Sequence, residues 1–137
     1  LVIGAISGWT VYMIVLIILI AVWGGWQLTT IIRRNRVAKL IDAETFEAGI
    51  RTAQVVDVRE KKDFDAGHIL GARNFPYSTF KAYHNQLRKD LPVYLYDQGK
   101  TMSTRAAIML GKDGFKQIFI LKSGYVRWEG KTKKTKY

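Results

Sequence analysis

Residues 57–76 read DVREKKDFDAGHILGARNFP, and the fold turns on this stretch. Just before it, Gln54-Val55-Val56-Asp57-Val58 is a short β-branched run, the pattern of a buried strand. Residues 61–64 have helical character, and Gly67 and Gly71 bracket His68-Ile69-Leu70. Residues 72–75 form a second strand candidate, stopped by Pro76, which has no N–H to offer a ladder.

The same rhythm continues on both sides. Upstream, a short strand over residues 39–41 leads into an acidic helix over residues 43–48. Downstream, apolar positions near helical spacing (Phe80, Tyr83, Leu87) predict a helix over residues 79–87. Pro92 then opens the strand Val93-Tyr94-Leu95-Tyr96. A polar loop leads to a helix over residues 103–110, with Ser103 as its N-cap and Gly111 as its stop. Residues 117–121 give the last strand, and residues 125–128 a short terminal helix. Short strands alternating with helices predict a parallel α/β sheet of about five strands, covered on both faces.

With these residues in view, the chain resembles the rhodanese family. Asp57, Arg59, Gly67, His68, Ile69, Gly71, Ala72, Asn74 and Pro76 all fall at the spacing of that family's motif. VYLYDQGKTMSTRAAIML, from Val93, resembles its fourth strand, active-site loop and helix; GFKQIFILKSGYVRW, from Gly114, resembles its closing strand and G-x-x-x-W helix. The resemblance covers residues 38–130. It implies Asp57, Arg59, Gly67, His68, Gly71, Asn74 and Pro76 as structural residues of the motif. It also implies a site in the loop Asp97, Gln98, Gly99, Lys100, Thr101, Met102 and Ser103.

That loop departs from the family. Rhodaneses place a cysteine after the fourth strand, at the mouth of a loop whose amides stabilise a persulfide; here the position is Asp97. The loop arginine that follows in the family aligns with Met102, while the serine after it is kept as Ser103. The chain contains no cysteine, so neither sulfane transfer nor cysteine-phosphatase chemistry can run on it. The expectation is an inactive relative without cofactor or metal. Asp97, ahead of a helix, is expected to cap its own loop; a carboxylate nucleophile is the less favoured reading, because no second acid lies in the loop to help hold Mg²⁺. A role in binding an anion, metabolite or partner stays open, with Lys100 and Arg105 nearby as weak attractants. His68 is expected to be a turn histidine with a satisfied hydrogen bond, His84 to lie on an exposed helix face, and Asp57 and Arg59 to brace neighbouring backbone and the Asp97 loop.

The other end of the chain is of a different kind. Residues 11–32, VYMIVLIILIAVWGGWQLTTII, carry no charge, and at about 1.5 Å per residue they cross a hydrocarbon core of about 30 Å. Trp9, Tyr12, Trp23 and Trp26 sit near its ends, where amphipathic rings favour the headgroups. No basic residue precedes the segment, and Arg33, Arg34, Arg36 and Lys39 follow it. The positive-inside rule predicts residues 1–10 outside and the domain in the cytoplasm, behind a basic stem over residues 33–37. The segment lacks the basic start and small-x-small site of a cleaved signal. Gly4 and Gly8 form G-x-x-x-G, read as permissive small residues in preference to a homodimer contact.

Charge completes the reading. Of a net +11, the stem bases with Lys131, Lys133, Lys134 and Lys136 hold +8; the remaining 14 bases against 11 acids leave residues 40–130 at +3. The stem is expected to meet anionic lipid headgroups. The tail, residues 131–137, is expected to be disordered, dispensable for folding, and available to lipid, ribosome or RNA. Function is expected to be that of a membrane-tethered, protein-binding module, with membrane-protein insertion or secretion machinery as the partner class. The alternatives are a ligand at the Asp97 loop and a ribosome or nucleic-acid tether.

Overall fold

The computed structural model describes residues 7–135. Gly4, the start of the N-terminal segment, and the last two residues of the tail lie outside this range. The chain divides into two compact units, the first ending at Arg33 and the second running from Arg34 onward.

Helix α1 (Gly8–Val37) is long and apolar enough to cross a bilayer, and none of its residues is buried in protein. Near its C-terminal end, Thr29 and Thr30 do not expose free hydroxyls: they donate to the carbonyls of Gly25 and Trp26, at 2.8 and 3.0 Å. Residues 33–37, expected as a separate stem, are the last helical turn.

The second unit is a five-stranded parallel sheet in the order β1 (Ala38–Ile41), β6 (Ile118–Leu121), β5 (Val93–Tyr96), β2 (Gln54–Asp57), β4 (Arg73–Asn74). Helices α2 (Ala43–Gly49), α3 (Lys61–Ala66), α4 (Phe80–Tyr83) and α5 (Thr101–Lys112) fill the crossovers. Strand alternation sorts the core into two layers. Val56, Val93, Leu95, Ile118 and Ile120 meet Ala106, Ala107 and Leu110 of α5 together with Phe80. Val55, Tyr96 and Leu121 face Phe46 of α2 on the other side. Phe46 is fully buried, with Trp128 edge-on at 5.7 Å and Tyr96 at 6.1 Å.

Four sequence expectations are corrected. The helix over residues 79–87 shrinks to α4 between two 3-10 turns (Tyr77–Thr79 and His84–Gln86); the Phe80 carbonyl meets both the His84 N–H and, at 3.0 Å, its ring. His84 is not on an exposed face: its Nε2 lies 2.9 Å from Asp113, pinning α4 to the end of α5. Gly111 does not stop α5, which runs on to Lys112; the reversal comes at Gly114, with φ +92°. A Cβ on Gly111 would collide with Val37, so this glycine admits Val37 against α5. Nor is the tail free. Strand β7 (Thr132–Lys133) pairs antiparallel with β3 (His68–Ile69), the Leu70 N–H donates to the Lys131 carbonyl at 3.0 Å, and the Thr135 N–H donates to that of Asp65 at 3.0 Å. Bracketed by Gly67 and Gly71, β3 lies outside the main sheet and takes the tail as its partner, and backbone pairing needs no hydrophobic run to mark it.

Candidate functional site

Parallel strands end together, and the loops that leave them build the site at their carboxyl ends. Asp57 closes β2, fully buried. Arg59, two residues on, returns to it: Nη2 reaches Asp57 Oδ2 at 2.8 Å, Nε reaches Oδ1 at 3.1 Å, and the Arg59 N–H donates to Oδ1 at 2.8 Å. The second use of Nη2 is the Gly67 carbonyl at 2.6 Å. The guanidinium also stacks over the Tyr125 ring at 4.2 Å. Burial opposes the Arg59 charge, but hydrogen bonds and attraction to Asp57 outweigh it and hold its pKa above the ordinary value. Asn74 completes the clasp, its amide donating to the carbonyls of Asp57 and Arg59 at 3.1 and 2.9 Å. The Asp57–Arg59 pair therefore braces the turn at Gly67; its hydrogen bonds do not reach the loop at Asp97, as had been expected. His68 is buried, stacked on Phe64 at 3.7 Å between centroids, with Nδ1 on the Phe64 carbonyl at 2.8 Å. Pro76 ends the motif at the head of the 3-10 turn, and Gly71 turns with φ +94°.

Asp97 follows β5 and is 5% exposed. Its carboxylate accepts from the Met102 N–H at 3.2 Å and the Ser103 hydroxyl at 2.7 Å. Helix α5 begins at Thr101, so Ser103 is its third residue and not its cap; its hydroxyl donates a hydrogen bond to Asp97. The first turn of α5 contains no acid of its own, and Lys100 at the cap position makes no side-chain bond. Asp97 thus supplies both the missing acceptor and the negative charge that a helix N-terminus favours. Gln98, Gly99 and Lys100 form the exposed crest of the loop.

A second loop locks the first. The N–H groups of Tyr125 and Val126 donate to the carbonyls of Asp97 and Gln98, at 2.9 and 3.2 Å. That approach depends on Gly124, where φ is +72° and any Cβ would be driven into the carbonyls of Gln98 and Gly99. Beside these loops opens a cleft of about 640 Å³. Val58, Tyr77 and Met102 give it apolar walls; Glu60, Asp63 and Asp97 bring acids, and among the described residues Arg59 is the one base lining it. Glu60 accepts from Ser78 at 2.7 Å. Glu60, Asp63, Tyr77, Ser78 and Gly124 had no place in the site read from the sequence. Their signals were weak: Glu60 and Asp63 sit between the motif's marked positions, Tyr77 and Ser78 follow it, and Gly124 was visible only as the glycine of G-x-x-x-W. Among the described residues no three His, Asp or Glu side chains converge as metal ligands.

This arrangement of parallel strands, D-V-R clasp and carboxyl-end loop is a rhodanese fold, and the family model for the rhodanese-like domain matches residues 36–131. The chain belongs to the rhodanese-like domain family. It is 46% identical over 124 residues to the Bacillus subtilis (strain 168) protein "Uncharacterized protein YqhL", covering 90% of this chain and 98% of that one. It is 36% identical over 103 residues to "Uncharacterized protein YibN" of Escherichia coli (strain K12), covering 73% and 67%. Among solved structures, the crystal structure of the Alr3790 protein from Anabaena sp. superposes with a TM-score of 0.64 at 25% identity, over 70% of this chain and 81% of that one.

Proposed function

We propose that this protein is a membrane-anchored rhodanese-like module without sulfur-transfer activity, which holds a protein partner at the carboxyl-end cleft. Asp97 carries the reading. It stands where the resemblance calls for a nucleophilic sulfur, and its carboxylate occupies the Met102 N–H and the Ser103 hydroxyl that would otherwise face a bound oxyanion. A carboxylate holds no sulfane sulfur, and with Glu60 and Asp63 nearby the cleft repels thiosulfate. The Arg59 charge does not offset this, because Asp57 already matches it. What remains is an open, partly apolar recess of a size that takes a side chain or two from another protein.

Helix α1 is the anchor in this reading. Its flanking bases set the domain on the cytoplasmic side, where insertion or secretion components are the expected partner class. The alternative, a ribosome or nucleic-acid tether through the basic stem and tail, draws on lysines whose side chains stay exposed beside the paired backbone of β7.

Purified full-length protein should turn over neither thiosulfate nor mercaptopyruvate; turnover above the uncatalysed rate overturns the reading. In intact membranes, a photo-reactive residue at Gln98 should yield a discrete protein adduct, and one at Lys89 on the opposite edge should not. Adducts of equal yield and mass from both positions would remove the cleft as the contact.

A further inference from the structure

The anchored reading leaves a second feature of the domain unused. Ala38 of β1 registers with Ile118 of β6, so Arg36 and Lys116 each lie two residues ahead of paired parallel strands, although 80 positions separate them in the chain. Lys39 follows in the same register, opposite Phe119. Strand β1 is at the margin of the sheet, and at this corner is a cavity of about 350 Å³. Its polar lining is Asn35, Arg36, Lys39, Lys116 and Gln117; its apolar floor comes from Val37, Ala38, Ile118 and Phe119. No acid lines it. Among the described residues, none of its three bases has an ion-pair partner.

We propose that this corner cavity binds the phosphate headgroup of an anionic phospholipid. Three bases on one cavity match a phosphate, the two amides supply neutral donors, and the apolar lining suits a glycerol backbone better than a free ion. The cavity also lies where chain connectivity demands: Arg36 is three residues beyond Arg33, the first charge after the apolar run. An anionic leaflet attracts bases at this distance from a spanning helix. Lys116 and Gln117 are the new element, since they come from the far end of the domain and convert a stem charge into a pocket.

This inference rests on α1 being a membrane anchor, and the test separates the two. Full-length protein is reconstituted into phosphatidylcholine nanodiscs doped with phosphatidylglycerol, and lipid retained after detergent release is counted by native mass spectrometry. The wild type should keep phosphatidylglycerol, and Lys116→Gln should lower that retention about fivefold, the worth of one base at an anionic surface. Lys89→Gln, a base on the same edge outside the cavity, should match the wild type. Equal retention in both variants overturns the pocket while leaving the anchor intact. Inorganic phosphate that displaces the lipid in neutral detergent would instead mark a free-anion site and overturn the lipid assignment. Extraction of the wild type from membranes by alkaline carbonate would remove the anchor, and the pocket with it.

Discussion

The two edges of the parallel sheet treat charge in opposite ways. At the carboxyl edge, charged groups are turned inward: Asp57 holds Arg59, Arg59 holds the Gly67 carbonyl, and Asp97 holds the first turn of α5. At the amino edge, Arg36, Arg51, Lys89, Lys112 and Lys116 are exposed, and of its loops only Arg88 with Asp90 and His84 with Asp113 form pairs. Inward charge makes a shape and leaves little for a ligand. Outward charge does little for the fold and is free to meet a surface. Such a division accounts for how a chain of net +11 carries an acid-lined cleft.

Substitutions at the two edges should differ accordingly. Arg59→Met would strand the buried Asp57 carboxylate and the Gly67 carbonyl, and should cost about 3–5 kcal/mol in chemical denaturation. Lys116→Met, the matching truncation on the amino edge, should stay within about 0.5 kcal/mol. Equal losses would erase the distinction. Gly124→Ala must force the Gln98 and Gly99 carbonyls away from a positive-φ turn, at a cost of about 2–3 kcal/mol. Its hydrogen-exchange footprint should centre on residues 97–103 and 123–126. Asp97→Ala removes the cap of α5 and leaves the Ser103 hydroxyl buried without its acceptor; about 2 kcal/mol is expected. Asp97→Asn, which keeps an acceptor, should recover most of it.

Smaller effects sharpen the picture. Deleting residues 131–137 removes the partner of β3, and should lower the unfolding midpoint by the equivalent of about 1 kcal/mol. An unchanged midpoint would return the tail to the status of a solvated end. Least of all, Asp42 caps α2 by accepting from the Thr45 N–H at 2.8 Å, and those bonds hold its pKa below 3.8. Its contribution is present above that value and lost as pH falls further, so acid unfolding of Asp42→Asn should begin at slightly higher pH than wild type. Coincident acid transitions would show that the cap adds nothing measurable.

Strong local patterns carried the reading from sequence. The β-branched run at Val55-Val56 and Val93-Tyr94-Leu95-Tyr96 marked the central strands, and an uncharged run of residues 11–32 marked α1. Motif spacing located Asp97 because the glycines and proline around residues 67–76 fix a backbone path. What escaped were interactions with no periodicity. The Arg59 hydrogen bond to Gly67, the pairing of Lys133 with His68, and the shared cavity of Lys116 and Arg36 have no signature in local pattern. Ser103 misled for a related reason: a serine near a helix start predicts a cap, but a carboxylate six residues earlier outbids a hydroxyl for the helix N-terminus.

The carboxylate of Asp97 has one further consequence, best put as mass action. A loop that stabilises itself around a dissolved anion gains stability in proportion to the logarithm of that anion's concentration. Here the negative group is part of the chain, so its local concentration never varies and no loss of translational freedom attends its arrival. The loop is always in its occupied shape. Its geometry is thereby uncoupled from the concentration of any dissolved anion.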